Sequence, residues 1–157
     1  MIEVTADALA AHPFLHGMSC DHLAILAKAA SDVTFPARHR LFEDGGSANR
    51  FWLIQSGQVT LDLNVPGQGR VRIDTIGMGE LLGWSWMFAP YTWAFGAAAA
   101  GPVEAFEFNG RTVRGWCASE PDFGYELSRR LALVVAKRLQ ATRVRLITAS
   151  SQSASSR

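Results

Sequence analysis

The sequence contains few cysteines, and their scarcity limits its chemistry. Cys20 and Cys117 are the only two among 157 residues, and they lie far apart along the chain. An iron–sulfur cluster held by one chain requires four thiolates, so a cluster of that kind is excluded. Because a widely spaced pair in an intracellular chain is typically reduced, we expect two free thiols and no disulfide.

The sequence also lacks a charge imbalance and a long apolar run. Its 15 basic and 14 acidic residues leave a net charge of +1, so no overall field favours nucleic acid or an anionic membrane. No apolar segment approaches the length of a membrane-spanning helix. Acidic Glu3 and Asp7 stand where a secretory signal would be basic. We therefore expect a cytoplasmic protein that binds neither membrane nor nucleic acid.

Residues that could form a catalytic or metal centre are sparse. All four histidines, His12, His16, His22 and His39, lie in the first forty residues, and Pro13 prevents His12 and His16 from sharing a regular helix face. No serine, cysteine or carboxylate lies in a recognisable nucleophile or acid–base motif. We expect no metal, no cofactor and no enzymatic activity.

Apolar residues, by contrast, are abundant. They make up 48% of the chain, and charged residues only 18%, which is more apolar than an average soluble protein. The length fits a single domain with a sizeable core. Part of the apolar surface is therefore available for a ligand or a partner.

The sequence pattern changes twice along the chain. The first thirty residues have helical spacing, interrupted by Pro13 and Gly17, and Ser19 is a good N-cap for a helix that starts at Cys20. From Val33 onward, short apolar runs alternate with glycines, which is typical of strands and tight turns. The predicted strands cover residues 32–35, 40–42, 51–55, 58–65, 70–76, 81–87, 91–99 and 103–108. Eight short strands indicate a roll or a barrel.

Two neighbouring strands show the clearest alternation. Val59, Leu61 and Leu63 alternate with polar residues, and Ile73 belongs to a second alternating run. Each strand therefore has one face exposed to water. The linker at residues 66–69 contains proline and two glycines, and it predicts a hairpin turn between the two strands.

The region after residue 109 is helical. We predict a short helix over residues 112–117 and a long one from Pro121 to about residue 147, because proline favours the first helical turn. The serine-rich tail, residues 150–157, is expected to fray. We assign the whole chain, 1–157, to one domain, with the β-roll at about 31–109, the C-terminal helices at about 111–147 and the tail at 148–157.

Three segments of the strand region resemble the cyclic-nucleotide-binding superfamily, which includes the sensor half of CRP/FNR-type regulators and the regulatory subunits of cyclic-AMP-dependent kinase. They are residues 41–48 (LFEDGGSA), 51–59 (FWLIQSGQV) and 76–83 (IGMGELLG). The resemblance implies a mainly β fold with flanking helices: a double-stranded β-helix, or jelly-roll-like β-roll, with N-terminal helices and a long C-terminal helix. An unrelated cupin-like barrel is the alternative fold.

The sequence departs from this family in the segment that binds the cyclic phosphate. The family's ribose-binding glutamate aligns with Trp84, whereas Glu80 matches an acidic residue four positions earlier. The family's phosphate-binding arginine falls near residues 91–94, and no arginine occurs between Arg72 and Arg111. Because a buried phosphate needs a charged, bidentate partner, we expect cyclic AMP to bind weakly or not at all.

The same segment is rich in aromatic rings and could form a different pocket. We predict that it binds a flat, weakly charged small molecule. The candidate ligand-binding residues are Gly83, Trp84, Ser85, Trp86, Tyr91, Thr92 and Trp93. The alternative is that these rings fill the core of the roll and pack under the long helix.

The long helix carries two apolar rows, so it can present two surfaces. One row could dock on the roll while the other pairs with a second subunit, as the same helix does in the regulators that this chain resembles. The predicted homodimer residues are Leu127, Leu131, Val135, Leu139, Thr142 and Leu146. Two alternatives remain: the whole helix packs on its own roll, or its arginines contact nucleic acid or an acidic protein instead of facing solvent.

Taken with the resemblance, these features predict a stand-alone sensory or regulatory module without a helix-turn-helix domain. In the family, ligand binding shifts the final helices relative to the roll, and we expect such a signal to act through a protein partner. Two other functions stay open. The chain could be a genuine cyclic AMP or cyclic GMP receptor in which backbone amides and Thr92 replace the arginine, or a ligand-free dimeric scaffold.

Overall fold

A computed structural model describes residues 3–155, with the side chains described as far as residue 151. The strands are β1 (Ala30–Phe35), β2 (Arg40–Phe42), β3 (Arg50–Ser56), β4 (Val59–Val65), β5 (Gly69–Ile76), β6 (Leu81–Leu82), β7 (Gly96–Ala99) and β8 (Val103–Asn109). The α-helices are α1 (Ala6–Ala10), α2 (Cys20–Ala27), α3 (Gly110–Ser119) and α4 (Pro121–Ser155). Short 3₁₀ helices occupy Pro13–Leu15 and Ser85–Met87.

The strands form two antiparallel sheets of four strands each. The first sheet has the order β1-β8-β3-β6, and the second has the order β2-β7-β4-β5. Helices precede this β-roll and follow it. The structure therefore confirms the predicted mainly β roll with N-terminal helices and a long C-terminal helix.

One buried cluster runs through both sheets and the flanking helices, and its largest aromatic stack lies where the first sheet meets the C-terminal helices. Phe51 of β3 and Phe108 of β8 stack with ring centroids 4.6 Å apart, and Trp86 stacks on Phe51 at 4.4 Å. All three residues have a relative exposure of 1% or less. The start of α4 adds Phe123, which is also fully buried. Burial of large aromatic side chains of this kind stabilises the join between roll and helices.

Several local predictions are confirmed. The linker at residues 66–69 joins β4 to β5, with Gly67 at a φ of +81°. The Ser19 hydroxyl caps α2 by accepting a hydrogen bond from the His22 amide at 3.3 Å. Both cysteines are free thiols; Cys20 is exposed, and burial raises the pKa of Cys117 to about 11.

Two predicted strands are largely wrong. The strand predicted over 81–87 ends at Leu82, because Gly83 has a φ of +96° and the chain then enters a 3₁₀ helix. The strand predicted over 91–99 begins only at Gly96. Tyr91, the first residue of that predicted strand, has a φ of +57°, which lies outside the extended region.

Helix α4 is longer than predicted. It continues through Ser155 instead of ending near residue 147; the expected fraying of the tail stays a prediction. The remaining tail positions, 156 and 157, lie outside the described residues. Among residues 3–155, none of the helices has the combination of length and apolar character needed to cross a membrane.

The six residues predicted for a dimer interface have different environments. Leu127 and Leu131 have exposures of 0% and 1% in the core of their own chain, so they have no surface left for a second subunit. Val135 is half-buried and Thr142 is exposed. Leu139 and Leu146 are 52% and 67% exposed, so they are free to contact another molecule.

A partly buried ion pair connects β2 to β4 in the second sheet. The Arg40 guanidinium donates to both carboxylate oxygens of Asp62, at 2.6 and 2.5 Å, and Glu43 accepts a further bond from it at 2.7 Å. These carboxylates raise the pKa of Arg40, Asp62 first, against the opposing effect of burial. Gly96 leaves the space that the pair occupies, since a Cβ there would collide with the Arg40 guanidinium.

Candidate ligand-binding site

The segment predicted to bind a ligand leaves the first sheet at β6 and returns to the second at β7. Before β7 begins, residues 91–93 are held against the turn at residues 45–48. The Trp93 amide donates to the Gly46 carbonyl, the Gly45 amide donates to the Trp93 carbonyl, and the Ala48 amide donates to the Tyr91 carbonyl, each at 2.8 Å. These bonds fix where the Trp93 side chain lies.

The Trp93 ring fills the space beside Gly83. It is 4% exposed and stacks on Phe42 with centroids 3.8 Å apart and planes 14° apart. A Cβ atom at Gly83 would lie 2.9 Å from the Trp93 ring, so glycine is required there on steric as well as backbone grounds. Trp93, a residue predicted to line a ligand pocket, therefore fills the space beside Gly83 with its own ring.

Trp86 also belongs to the core. Its Nε1 donates to the Gly83 carbonyl at 3.0 Å, and the side chain has no exposed surface. A Cβ atom at Gly110 would lie 2.8 Å from the Trp86 Cβ atom, which shows how closely α3 packs on it. The structure thus places Trp86 and Trp93 among core residues, as the alternative interpretation of the aromatic cluster predicts.

The other predicted site residues are more accessible. Tyr91 is half-buried, and the Arg114 guanidinium lies 3.8 Å from its ring centroid. Ser85 is half-buried at the start of its 3₁₀ helix, and Thr92 is exposed. Trp84 is the predicted site residue that lines a substantial cavity: its ring packs edge-on against Phe95 at 5.3 Å.

That cavity, which we call the roll–helix groove, lies between the second sheet and α4. Its volume is about 520 Å³, within the range of small-molecule sites. The roll contributes mostly apolar side chains, and the helix contributes mixed ones. The groove is lined by Leu61, Leu63, Ile73, Asp74, Trp84, Phe95, Arg138, Thr142, Arg145 and Leu146.

One carboxylate holds α4 against the roll at this groove. Asp74 of β5 accepts hydrogen bonds from Arg138 at 3.1 Å and from Arg145 at 2.9 Å. Arg138 also bonds Glu80 at 3.2 Å, and Arg145 donates to the Ile73 carbonyl at 2.9 Å. We call Asp74, Glu80, Arg138 and Arg145 the clamp. It joins the roll to the second half of α4.

The clamp sets the charge state of its central carboxylate. Burial by itself would raise the pKa of Asp74, but the hydrogen bonds from Arg145 and the Thr75 amide, with the charges of Arg145 and Arg138, outweigh it. The pKa of Asp74 therefore lies below its usual value. Arg138 also lies over the Trp84 ring, 5.5 Å from its centroid, so the clamp and the groove share a side chain.

The sequence contained part of the signal for the roll–helix groove. The alternation along β4 and β5 identified an apolar face that includes Leu61, Leu63 and Ile73, but not the helix that faces it. From the sequence alone, Arg138 and Arg145 fit a basic helix face that is exposed to solvent. Their partner Asp74 lies 64 and 71 residues away along the chain, so no local pattern could pair them.

The buried histidine of the N-terminal region is fully engaged in hydrogen bonds. His12 Nε2 lies 2.9 Å from the Ile54 carbonyl, and its Nδ1 accepts a bond from the Phe14 amide at 3.2 Å. Burial lowers the pKa of His12, against the opposing effect of the Ile54 bond. This arrangement fits a neutral ring that joins the N-terminal segment to β3. Nowhere in residues 3–155 do three or more histidine, cysteine or acidic side chains converge as a possible metal site.

Comparisons with known proteins agree with this architecture. The sequence profile of the cyclic nucleotide-binding domain matches residues 32–120. A CRP-like cAMP-activated global transcriptional regulator of Mycobacterium tuberculosis is 30% identical over 137 residues, which are 87% of this chain and 59% of that protein. The chain thus spans less than two thirds of the curated relatives it matches.

Solved structures show the same fold. A cyclic nucleotide-binding domain from Methylobacillus flagellatus KT superposes with a TM-score of 0.75 at 19% identity, covering 83% of this chain and 74% of that one. A cAMP-binding acyltransferase from Mycobacterium smegmatis gives 0.60 at 25% identity, over 70% of this chain and 34% of that one. With its profile match and its two-sheet roll, the chain belongs to the cyclic nucleotide-binding domain family.

Proposed function

We propose that this chain is a cytoplasmic regulatory sensor, not an enzyme, and that its ligand site is the roll–helix groove. The observation that carries the proposal is the Trp93 ring, which stacks on Phe42 and fills the space beside Gly83. In the family, this segment surrounds the cyclic phosphate. A ligand of this chain must therefore bind elsewhere or displace a buried tryptophan.

The loss of the phosphate anchors supports this proposal. Trp84 stands where the family has a carboxylate, and the return strand has Tyr91 and Thr92 in place of an arginine. A hydrogen bond to a charged group contributes about 1.5–3 kcal/mol. The loss of two such anchors therefore lowers the affinity for a cyclic nucleotide by several powers of ten. We propose that the cassette is degenerate in this chain.

The groove favours a flat and largely uncharged ligand. Its roll side offers Leu61, Leu63 and Phe95, with Trp84 at the edge for stacking. Its arginines are already paired with Asp74, so a ligand that binds here gains little from a strong negative charge. Apolar burial then supplies most of the binding free energy.

Signalling would follow from the position of the groove between roll and helix. Arg138 contacts both Trp84 and Asp74, so a ligand that stacks on Trp84 changes the surroundings of the clamp. A ligand that binds one packing of α4 more tightly shifts the population toward it. We propose that a protein partner reads the position of this helix.

The exposed face of α4 supports pairing with a second copy of the chain. Ala132, Leu139 and Leu146 recur every seven residues on its exposed side, and Val135 and Thr142 lie between them. This spacing is typical of a two-helix seam. The proposed interface therefore comprises Val135, Leu139, Thr142 and Leu146, without the buried Leu127 and Leu131. Thr142 and Leu146 also line the roll–helix groove, so the proposed interface borders the ligand site.

A ligand titration tests the proposal. The purified protein is titrated with indole, 2-naphthol, cyclic AMP and cyclic GMP, and binding is followed by thermal shift and calorimetry. At about one hundred times its dissociation constant, a ligand stabilises the fold by roughly 2.7 kcal/mol. We expect binding of the planar aromatic compounds, about tenfold weaker in Trp84→Ala and unchanged in Phe88→Ala, whose ring is 57% exposed.

The other outcomes identify the two alternative functions. The M. tuberculosis relative is named as cAMP-activated, so a clear response to cyclic AMP would identify a conventional receptor and overturn the degenerate cassette. An absence of response to all four compounds would favour the ligand-free dimeric scaffold.

A further inference from the structure

A second groove lies along α4 where the helix faces the N-terminal region. It has a volume of about 550 Å³ and lies between α4, the 3₁₀ helix at Pro13–Leu15 and the turn between β5 and β6. From Arg130 to Arg145 it follows the helix for about 22 Å. We call it the basic groove. It shares only the clamp residues Asp74, Arg138 and Arg145 with the roll–helix groove.

The walls of the basic groove are largely apolar. Leu133 is 56% exposed and directly precedes Val134, which is half-buried. The opposite side has the exposed Pro13, with Leu81 of the roll buried beneath the surface. The apolar lining consists of Pro13, Phe14, Leu81, Leu133, Val134 and Ala141. Exposed apolar surface within a concave site favours an occupant with an apolar part.

The charges along this groove do not balance. Four cations line it, Arg130, Lys137, Arg138 and Arg145, against two carboxylates, Asp74 and Glu80. Those carboxylates bond Arg138 and Arg145.

The remaining two cations differ in their partners. Arg130 bonds Glu126 at 3.3 Å and the Phe14 carbonyl at 2.8 Å. Lys137 is exposed and has no acidic partner within the part of the chain that the structure describes. One positive charge is therefore left for a ligand.

Two guanidinium groups add unsatisfied donors. The Nε atoms of Arg130 and Arg138 are buried and have no hydrogen-bond acceptor among residues 3–155. Both side chains line the basic groove. These Nε atoms are themselves buried, so a ligand in the groove would meet the exposed Lys137 ammonium and not these donors.

We infer that the basic groove binds a small amphipathic carboxylate, with its head group on Lys137 and its aliphatic tail between Leu133 and Pro13. A single negative charge matches the one unpaired ammonium group, whereas a polyanion would be repelled by Asp74 and Glu80. Helical spacing places Leu133 and Lys137 one turn apart, so one short molecule can reach both. This site does not depend on the function proposed for the roll–helix groove.

Calorimetry with four short probes tests this inference. Octanoate has both the charge and the tail, 1-octanol lacks the charge, octylamine reverses it, and acetate lacks the tail. We expect octanoate to bind the intact chain at concentrations up to about 1 mM, and the other three to bind at least tenfold more weakly. An equal response to octanoate and 1-octanol, or no response to octanoate, would overturn the inference.

Matched variants locate the site. Lys137→Gln and Leu133→Ser are each expected to weaken octanoate binding about tenfold. Their controls are Arg143→Gln and Val144→Ser, which alter exposed residues of the same helix outside the groove, and these should bind as the wild type does. Circular dichroism confirms that each variant is folded.

Trp84→Ala separates the two proposals. It should leave octanoate binding unchanged even where it abolishes the binding of indole. Octanoate binding that survives both Lys137→Gln and Leu133→Ser would show that the ligand lies elsewhere and would contradict the inference.

Discussion

The two halves of helix α4 are held to the roll by different forces. In the first half, Phe123, Leu127 and Leu131 have exposures of 1% or less. In the second half, the ion pairs of the clamp attach the helix to the roll, with Arg138 and Arg145 bonded to Asp74. The first half is fixed by apolar burial, and the second is attached by partly exposed ion pairs.

This difference has an energetic consequence. Burial of one leucine side chain contributes about 1.5–3 kcal/mol, whereas a solvent-accessible ion pair contributes about 0–1 kcal/mol. Local opening begins where burial is least. The second half of α4 is therefore the part that can leave the roll while the first half stays in place, as the proposed signal requires.

The largest expected effect comes from removing a side chain of the fixed half. Leu127→Ala leaves a cavity in the core and should lower the free energy of unfolding by about 2–5 kcal/mol. Leu133→Ala, on the exposed side of the same helix, should change it by no more than about 0.5 kcal/mol. Urea denaturation measures the free energy of unfolding of both variants. Similar losses of stability would show that the two sides of the helix do not differ in their contribution to the fold.

A smaller effect is expected from the clamp. Asp74→Asn removes the charge that both arginines share and should cost about 1 kcal/mol of stability. The second half of α4 should then be cut faster by trypsin after Arg143 and Arg145. Glu104→Gln changes an exposed carboxylate on β8 and serves as the control. Unchanged cleavage in Asp74→Asn would show that the clamp does not hold the helix.

The pH dependence of stability should separate two titrating groups. The pKa of Asp74 is lowered in the folded state, so its contribution is complete above an unfolded value of about 3.9. It is lost as pH falls further, through the folded pKa. His12 also has a lowered pKa, so its contribution is complete above about 6.5 and is lost as pH falls through its folded pKa.

Urea midpoints between pH 7 and pH 3 would test this order. Stability should fall first through His12, while the clamp stays charged. His12→Gln should flatten the curve just below pH 6.5, and His16→Gln, which changes an exposed histidine, should not. A clamp that loosens at pH 6, seen as faster tryptic cleavage, would contradict the assignment to Asp74.

The smallest effect on the fold itself is expected at the proposed dimer seam. Leu139→Glu combined with Leu146→Glu should convert a dimer into a folded monomer, because charges in the seam repel across the two-fold axis. Val144→Glu is the matched control. Light scattering after gel filtration measures the mass. A wild type that is monomeric at every concentration would remove the proposed interface.

Much of the fold could be predicted because its signals are local. The alternation along β4 and β5, the turn at residues 66–69, the Ser19 cap and Pro121 at the first turn of α4 each depend on residues close in sequence. The predictions of strands over residues 81–87 and 91–99 were wrong because contacts between distant parts of the chain set the conformation there. Trp84 and Trp86 alternate as they would in a strand, but Gly83 turns the chain, and Trp86 packs between β3 and α3.

The candidate site was less predictable from the sequence. The resemblance to the family located the segment at residues 76–93, and the missing arginine indicated an altered ligand. The sequence could not show that the Trp93 ring fills the space within this segment by stacking on Phe42 of another strand. The groove residues Arg138 and Arg145 depend on a partner in β5, and pairing across such distances is set only when the chain folds.

Hydrogen exchange of the free protein, followed by mass spectrometry along α4, tests the central claim most directly. We expect strong protection over residues 123–131 and much weaker protection over residues 134–147, with the second segment becoming more protected when a ligand fills the roll–helix groove. Uniform protection along the helix, unchanged by Asp74→Asn, would show that α4 is attached as one rigid body and would contradict the account.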